Sequence, residues 1–263
     1  MPTPPMAPQP GRFAVRTAAT EEDLRSAQRL RHMTFVARRP GATTRGAGLD
    51  ADAFDARCRH MLVEERATGR LVCCFRLLPL AGGAEIGRSY SAQYYELSSL
   101  ARYPGRMLEV GRFCIDPERA GEPDILRLAW AAIARLVDAE GVELMFGCSS
   151  FEGTEAERYR DAFALLGLRH LAPRRWQPRI KAPRVVPFAR RLRAVRPDPR
   201  RAFQTLPPLL RSYLAMGGWV SDHAVIDGEL DTLHVFTGLE IAAIPPARAR
   251  AIRATAAALG EAA

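Results

Sequence analysis

The chain has 263 residues, 48% hydrophobic and 25% charged, with 38 Lys and Arg against 29 Asp and Glu, a net charge of +9 and a pI near 9.9. Such a length and apolar content supply a sizeable core and exclude disorder throughout, and the arginine-borne basic excess calls for an acidic partner: a carrier protein, an anionic lipid surface or a nucleic acid. No run approaches the roughly 20 apolar residues of a membrane-spanning helix, so membrane contact would be peripheral.

Residues 1–11 read as a proline-rich disordered tail without the basic and apolar regions of a signal peptide. Thr20-Glu21-Glu22-Asp23 supplies a cap and an acidic first turn, and Leu24, Ala27, Leu30, Met33 and Thr34 recur at helical spacing, predicting a helix to about Arg38. Pro40 to Asp50 is a loop, Asp52 to Arg57 a short helical turn, and His60 to Glu65 with Leu71 to Pro79 a hairpin closed at Thr68-Gly69. Gly82 to Gly87 is a break, and Gln93 to Leu100 a short helix or turn.

Met107 to Ile115 reads as a strand, Asp124 to Ala139 as a helix with the apolar stripe Ile125, Leu128, Ala129, Ala132, Ile133 and Leu136, and Gly141 as its stop. Val142 to Cys148 is an almost wholly apolar strand covered on both faces, followed by a helix from Glu155 to Leu166. This is a crossover unit, so the expected fold is α/β with a mixed central sheet and flanking helices, one domain over 12–246. Residues 173–201 form a Pro- and Arg-rich basic insertion within it. Pro207 to Met216 is a short helix, Trp219 to Ile226 and Thr232 to Leu239 a closing hairpin around Asp227-Gly228, and 247–263 a C-terminal helix.

The chemistry concentrates in the run from Leu108 to Gly121. Glu109 and Arg112 flank a short apolar strand that breaks into a turn containing Pro117, Arg119 and Gly121 and then opens a helix. That pattern suits acyl transfer. The turn's N–H groups and the helix dipole receive an anionic phosphopantetheine arm, the strand meets the acyl chain, and a partly desolvated Glu109 takes the amine proton directly or through water. The plainer reading pairs Glu109 with Arg112 in the sheet; the functional one has Arg112 position Glu109 or the amino-acid carboxylate.

Arg76 is suited to holding that carboxylate bidentately, or else to a rim salt bridge. Phe113, Cys114, Ile115, Arg119, Gly121 and Ser149 are the expected acyl-donor contacts, with Ser149-Ser150 donating to pantetheine or the leaving thiol, or capping the next helix. The cysteines Cys58, Cys73, Cys74, Cys114 and Cys148 lack the spacings of zinc or disulfide frameworks and read as buried thiols of a reducing cytosol; an apolar strand also makes Cys114 and Cys148 poor nucleophiles. His60 is a minor substrate-side candidate, while His223 and His234 read as structural. Phe146, Phe151, Phe163 and Trp176 line an acyl tunnel or simply the core.

Together Arg76-Leu77-Leu78-Pro79, Tyr90-Ser91 to Glu96-Leu97, Glu109-Val110-Gly111-Arg112, Phe146 to Phe151 and Leu206 to Leu214 resemble the ornithine N-alpha-acyltransferases of bacterial ornithine-lipid synthesis, over about Arg12 to Pro246. The resemblance implies the acyl-CoA N-acyltransferase (GNAT-like) fold shared with acyl-homoserine-lactone synthases, with a pantetheine arm between the strands Met107 to Ile115 and Val142 to Cys148. It also implies transfer of a 3-hydroxyacyl group from acyl carrier protein to the alpha-amine of L-ornithine, forming lyso-ornithine lipid. Asp52 and Asp55 resemble acidic positions that handle the amino-acid amine, or cap a turn. The phosphate-binding turn departs from the wider fold: Arg119-Ala120-Gly121-Glu122-Pro123 is shortened and carries a proline, which favours a carrier-protein donor over coenzyme A.

No metal and no cofactor beyond the carrier's phosphopantetheine is expected, and the expected location is the cytoplasm, peripheral on the anionic inner membrane. In the basic insertion the arginines alternate with prolines, and Phe188 and Leu192 are expected to dip into an interface with acyl carrier protein and that membrane. An acyl-homoserine-lactone synthase using S-adenosylmethionine is the nearest alternative, and a non-enzymatic basic membrane or nucleic-acid binder the alternative of another class. No nucleic-acid partner is expected, because the arginines neither line a helix nor alternate with aromatics.

Overall fold

The structure, a computed structural model, describes residues 11–36 and 48–260. The tail, except Gly11, and the loop from Pro40 as far as residue 47 lie outside the described residues. In chain order come β1 (Phe13–Thr17), α1 (Glu21–Phe35), β2 (Arg59–Glu65), β3 (Leu71–Leu80), β4 (Tyr95–Glu96), β5 (Arg106–Ile115), α2 (Pro123–Glu140), β6 (Val142–Glu152) and α3 (Arg160–Arg169). Then follow β7 (Arg179–Ile180), β8 (Val185–Val186), α4 (Phe188–Arg191), α5 (Pro199–Thr205), α6 (Pro208–Ala215), β9 (Trp219–Val220), β10 (Ala224–Asp227), β11 (Thr232–Glu240) and α7 (Pro246–Gly260).

Local chemistry sets the boundaries. Thr20 and Asp23 form a reciprocal capping box that starts α1. Gly141 adopts φ 62° to end α2, a conformation other residues reach only with strain. The main sheet runs β1-β2-β3-β5-β6-β11-β10-β8, with β9 beside β11, and its pairs are antiparallel except β5 with β6. One face of the sheet packs on α2, α6 and α7 around Leu108, Val110 and Met145, and on α3 to α6 around Phe151, Leu233 and Val235. The other face packs on the segment from Ile86 to Tyr103 around Met107, Phe146 and Phe236, and on α1 around Leu62, Cys74 and Cys114.

The feature that positions the site is where β5 and β6 part. Parallel pairing runs from Arg106 opposite Val142 to Glu109 opposite Phe146 and stops, while β5 continues along β3 to Ile115 and β6 along β11 to Glu152. Beyond Glu109 the two strands bound a wedge. A bulge places Arg112 and Phe113 against the single residue Phe75, with Arg112 at φ 50°, which turns β5 away from β6.

Several expectations are corrected. Phe13–Thr17 is an edge strand with only Phe13 buried, too weakly patterned to read from sequence. The segment Gln93 to Leu100 contains β4, paired with β7. The helix expected from Glu155 begins as a 3-10 turn, Ala156–Tyr159. The closing hairpin is interrupted: β9 and β10 each pair with β11, and between them the Ser221 hydroxyl accepts the Phe236 N–H at 3.1 Å and donates to the His223 carbonyl at 2.7 Å. The basic insertion holds β7, β8, α4 and the start of α5, and Phe188 is fully buried, so it is not the expected interface residue, while Leu192 packs partly buried beside it.

Candidate active site

Glu109 sits at the apex of the wedge, 4% exposed. Its Oε1 accepts the Ser91 N–H at 2.8 Å and the Ser91 hydroxyl at 2.6 Å, and its Oε2 accepts the Tyr90 N–H at 2.8 Å. Burial pushes the carboxyl above its usual range, opposed by these donors and by the charge of Arg76. The Ser91 hydroxyl also lies 3.5 Å from the Cys148 sulfur on β6, a thiol that burial pushes up to about 12, which makes it inert as a nucleophile.

Glu109 thereby fixes the segment carrying Tyr90. The Tyr90 ring lies under the guanidinium groups of Arg112 and Arg76, at 5.0 and 5.6 Å, and meets Phe54 edge-on. Its hydroxyl is 3.3 Å from that of Tyr94, whose ring contacts His234. His234 stands with Nδ1 3.1 Å from the Tyr95 hydroxyl, and burial pulls its pKa down to about 4, so it is neutral.

Beside Tyr90 lies a compensated ionic cluster of Arg31, Arg76 and Arg112 with Asp50, Asp52 and Asp55. Arg76 Nη1 and Nη2 donate to the two oxygens of Asp52 at 2.6 and 2.9 Å, and Nη1 also donates to Asp55 at 2.9 Å. Arg31 donates to both oxygens of Asp55 at 2.8 and 2.9 Å and to Asp50 at 3.0 Å, and Gln28 to Asp55 at 2.9 Å. Arg112 reaches Asp50 at 3.0 Å and Asp52 at 3.2 Å. For Asp52 and Asp55 burial acts upward, yet the guanidinium groups hold both carboxyls below the usual range. Asp52 is the outermost acid, its side chain 23% exposed, and Arg112 the outermost base at 11%.

The expected residues separate accordingly. Glu109 does not pair with Arg112, because the loop segment claims the carboxylate and the aspartates claim the guanidinium. Arg76 is 3% exposed and filled by Asp52 and Asp55, so it anchors these acids and does not await a substrate carboxylate. His60 places Nε2 3.0 Å from the Asp55 carbonyl, a structural contact whose pKa burial lowers. Phe113 stacks on Phe75 and stays partly exposed beside Ile115 along the wedge. Cys114 instead faces α1 with its sulfur 3.4 Å from that of Cys74, and Ser149 accepts the Thr237 hydroxyl at 2.9 Å within the sheet; neither lines the wedge on the Glu109 side. Phe146, Phe151 and Phe163 are core.

In the turn after β5, Asp116 accepts the Glu118 N–H at 3.0 Å and Arg70 at 2.6 Å, Arg119 bonds Glu65 at 3.2 Å, and Glu122 stands at the N-cap of α2. Gly121, at φ 97°, completes the turn. Sequence reasoning missed the roles of Arg31, Asp50 and Ser91. Tyr90-Ser91 belongs to the segments carrying the resemblance, but only the fold brings it under Glu109.

The acetyltransferase (GNAT) domain family matches residues 30–131. The L-ornithine N(alpha)-acyltransferase of Rhodobacter capsulatus is 33% identical over 238 residues, covering 88% of this chain and 90% of that protein. This chain belongs to the L-ornithine N(alpha)-acyltransferase family. The family member from Rhizobium meliloti is 32% identical, covering 89% and 83%. An acyl-homoserine-lactone synthase of Agrobacterium fabrum is 32% identical over 110 residues only, 42% of this chain and 51% of that protein. The wedge, Glu109 and the ionic cluster are thus features of an N-acyltransferase of GNAT type. No helix among the described residues is long and apolar enough to cross a membrane.

Proposed function

We propose that the enzyme transfers a 3-hydroxyacyl group from acyl carrier protein to the alpha-amine of L-ornithine, forming lyso-ornithine lipid. The observation that carries this reading is the wedge between β5 and β6 with a buried carboxylate at its apex. The thioester enters the wedge, where the edges of the parted strands offer N–H groups to the carbonyl oxygen as it becomes an oxyanion. A carboxylate has about four acceptor positions. Three on Glu109 are taken by Tyr90 and Ser91, which leaves one for the substrate ammonium or a relaying water. The ammonium first loses one proton to solvent, so that the nitrogen's lone pair can form the C–N bond; the nitrogen then passes a second proton to Glu109, the C–S bond breaks, and the departing thiolate takes that proton back from Glu109.

Asp52 and Arg112 are the acceptor's contacts in this reading, since their 3.2 Å bond is the most exposed in the cluster. Asp52 takes the side-chain ammonium and Arg112 the alpha-carboxylate, while Arg76 and Asp55 hold both in place. The turn after β5 supports a carrier-protein donor: its arginine, Arg119, is already bound to Glu65, Arg70 from the turn between β2 and β3 is bound to Asp116 and Glu118, and Glu122 puts a carboxylate at the helix N-terminus where the diphosphate of coenzyme A would need free donors. No bound cofactor takes part, and the reaction belongs in the cytoplasm.

The test incubates purified enzyme with 3-hydroxyacyl carrier protein and L-ornithine and weighs the product by mass spectrometry. The expected product is N-acyl-ornithine with a free side-chain amine, formed much faster than from 3-hydroxyacyl-coenzyme A. Absence of acylated ornithine from neutral to mildly alkaline pH, or a lactone made from S-adenosylmethionine, contradicts the proposal.

A further inference from the structure

Charge is distributed unevenly along the chain. Eleven of its 38 Lys and Arg, but one of its 29 Asp and Glu, fall within 173–201, so this segment carries +10 and the remainder, with 27 cations against 28 carboxylates, carries −1. The structure wraps the segment around one edge of the sheet, from β7 through the edge strand β8 to α4 and α5, and every one of the eleven cations is exposed. Elsewhere arginines pair closely with carboxylates, as in Arg12–Glu65, Arg16–Asp23 and Arg70–Asp116. Within the segment only Arg175, Arg179 and Arg201 have a carboxylate within 4 Å among the described residues, each at 3.7 Å or more.

An apolar group stands in this field. On α5, Ala202 is buried, and Leu206 just beyond it is buried too, while Phe203 turns outward, 60% exposed, next to Arg200 and Arg201. The Arg211 guanidinium lies over its ring at 4.8 Å. A ring held outward by the packing of its own helix and set among arginines matches a bilayer surface, which presents diffuse negative charge above an apolar layer. The spread of the cations from the turn before β7 to α5 fits a broad, flat partner better than a small folded one.

We infer that 173–201, with Phe203 and Arg211, is the face by which the enzyme lies on an anionic lipid bilayer, arginines among the headgroups and Phe203 inserted. This does not depend on the reaction proposed above. The test is co-sedimentation of the full chain with vesicles of phosphatidylcholine alone or mixed with phosphatidylglycerol, against purified acyl carrier protein as a second partner. Binding is expected to phosphatidylglycerol vesicles only and to fall with salt. Reversing Arg193 and Arg200 to Glu is expected to weaken it about tenfold or more, and Phe203→Ala to weaken it several-fold, with circular dichroism confirming that both variants fold. Equal binding to both vesicle types, binding unchanged in folded variants, or capture of acyl carrier protein without vesicle binding overturns the inference.

Discussion

Each carboxylate of the cluster around Asp55 has a guanidinium partner, so the group is neutral as a whole while every member is charged. Such a cluster is rigid because removing one partner leaves another charge buried and unpaired, at a cost of about 3–5 kcal/mol. Asp52 and Asp55 were legible as acids near a short turn, and Arg76 and Arg112 as strand arginines; which acid meets which base was not, since the pairing arises where α1, β3 and β5 converge. His234 was legible only as a strand histidine. Burial holds its pKa near 4, below the ordinary 6.5, so the folded protein resists protonation there. Its contribution to stability is complete above about pH 6.5 and is lost as pH falls toward 4, about 3 kcal/mol in all. His234→Phe retains ring contacts with Tyr94 and Tyr95 but does not titrate. In thermal unfolding between pH 6.5 and 4 the native enzyme is expected to lose about 3 kcal/mol more than this variant; parallel curves refute the assignment.

At the scale of elements, β5, α2 and β6 were readable because their periodicity and the Gly141 stop agree. Where β5 and β6 part was not. Apolar patterning makes a strand without specifying how far its pairing runs, and β6 extends past Cys148, its expected end, through alternating exposed and buried positions, Ser150 to Glu152. The vertex depends on Gly147, where a Cβ would overlap the Val110 carbonyl oxygen across the narrow end of the wedge. Gly147→Ala forces the backbones apart or shifts the vertex. The expected cost is about 1–3 kcal/mol, read as a Tm lower by about 2–4 °C per kcal/mol. Gly87→Ala, at a position with open space around it, is the control and is expected to stay within about 0.5 kcal/mol of the native value. Equal Tm values for the two variants contradict the role given to Gly147.

At the scale of the molecule, the sheet keeps the candidate site and the cationic segment apart. The wedge, Tyr90 and the ionic cluster lie where β5 leaves β6, whereas the cationic segment occupies the far edge beyond β10. The cationic segment was legible in the composition, but its aromatic was not: Phe188, expected at an interface, is core, and Phe203 is exposed. The central claim, that Glu109 receives the amine's proton, is tested most directly by kcat against pH at saturating ornithine, for the native enzyme and Glu109→Gln. Because burial raises the Glu109 pKa, its basic form accumulates only above the ordinary carboxylate range, so native kcat is expected to climb with pH through that raised value and then level. Glu109→Gln is expected to lack that climb and to run about 10²–10⁴-fold slower; a Glu109→Gln enzyme with native kcat and an unchanged acid limb would show that the proton goes elsewhere.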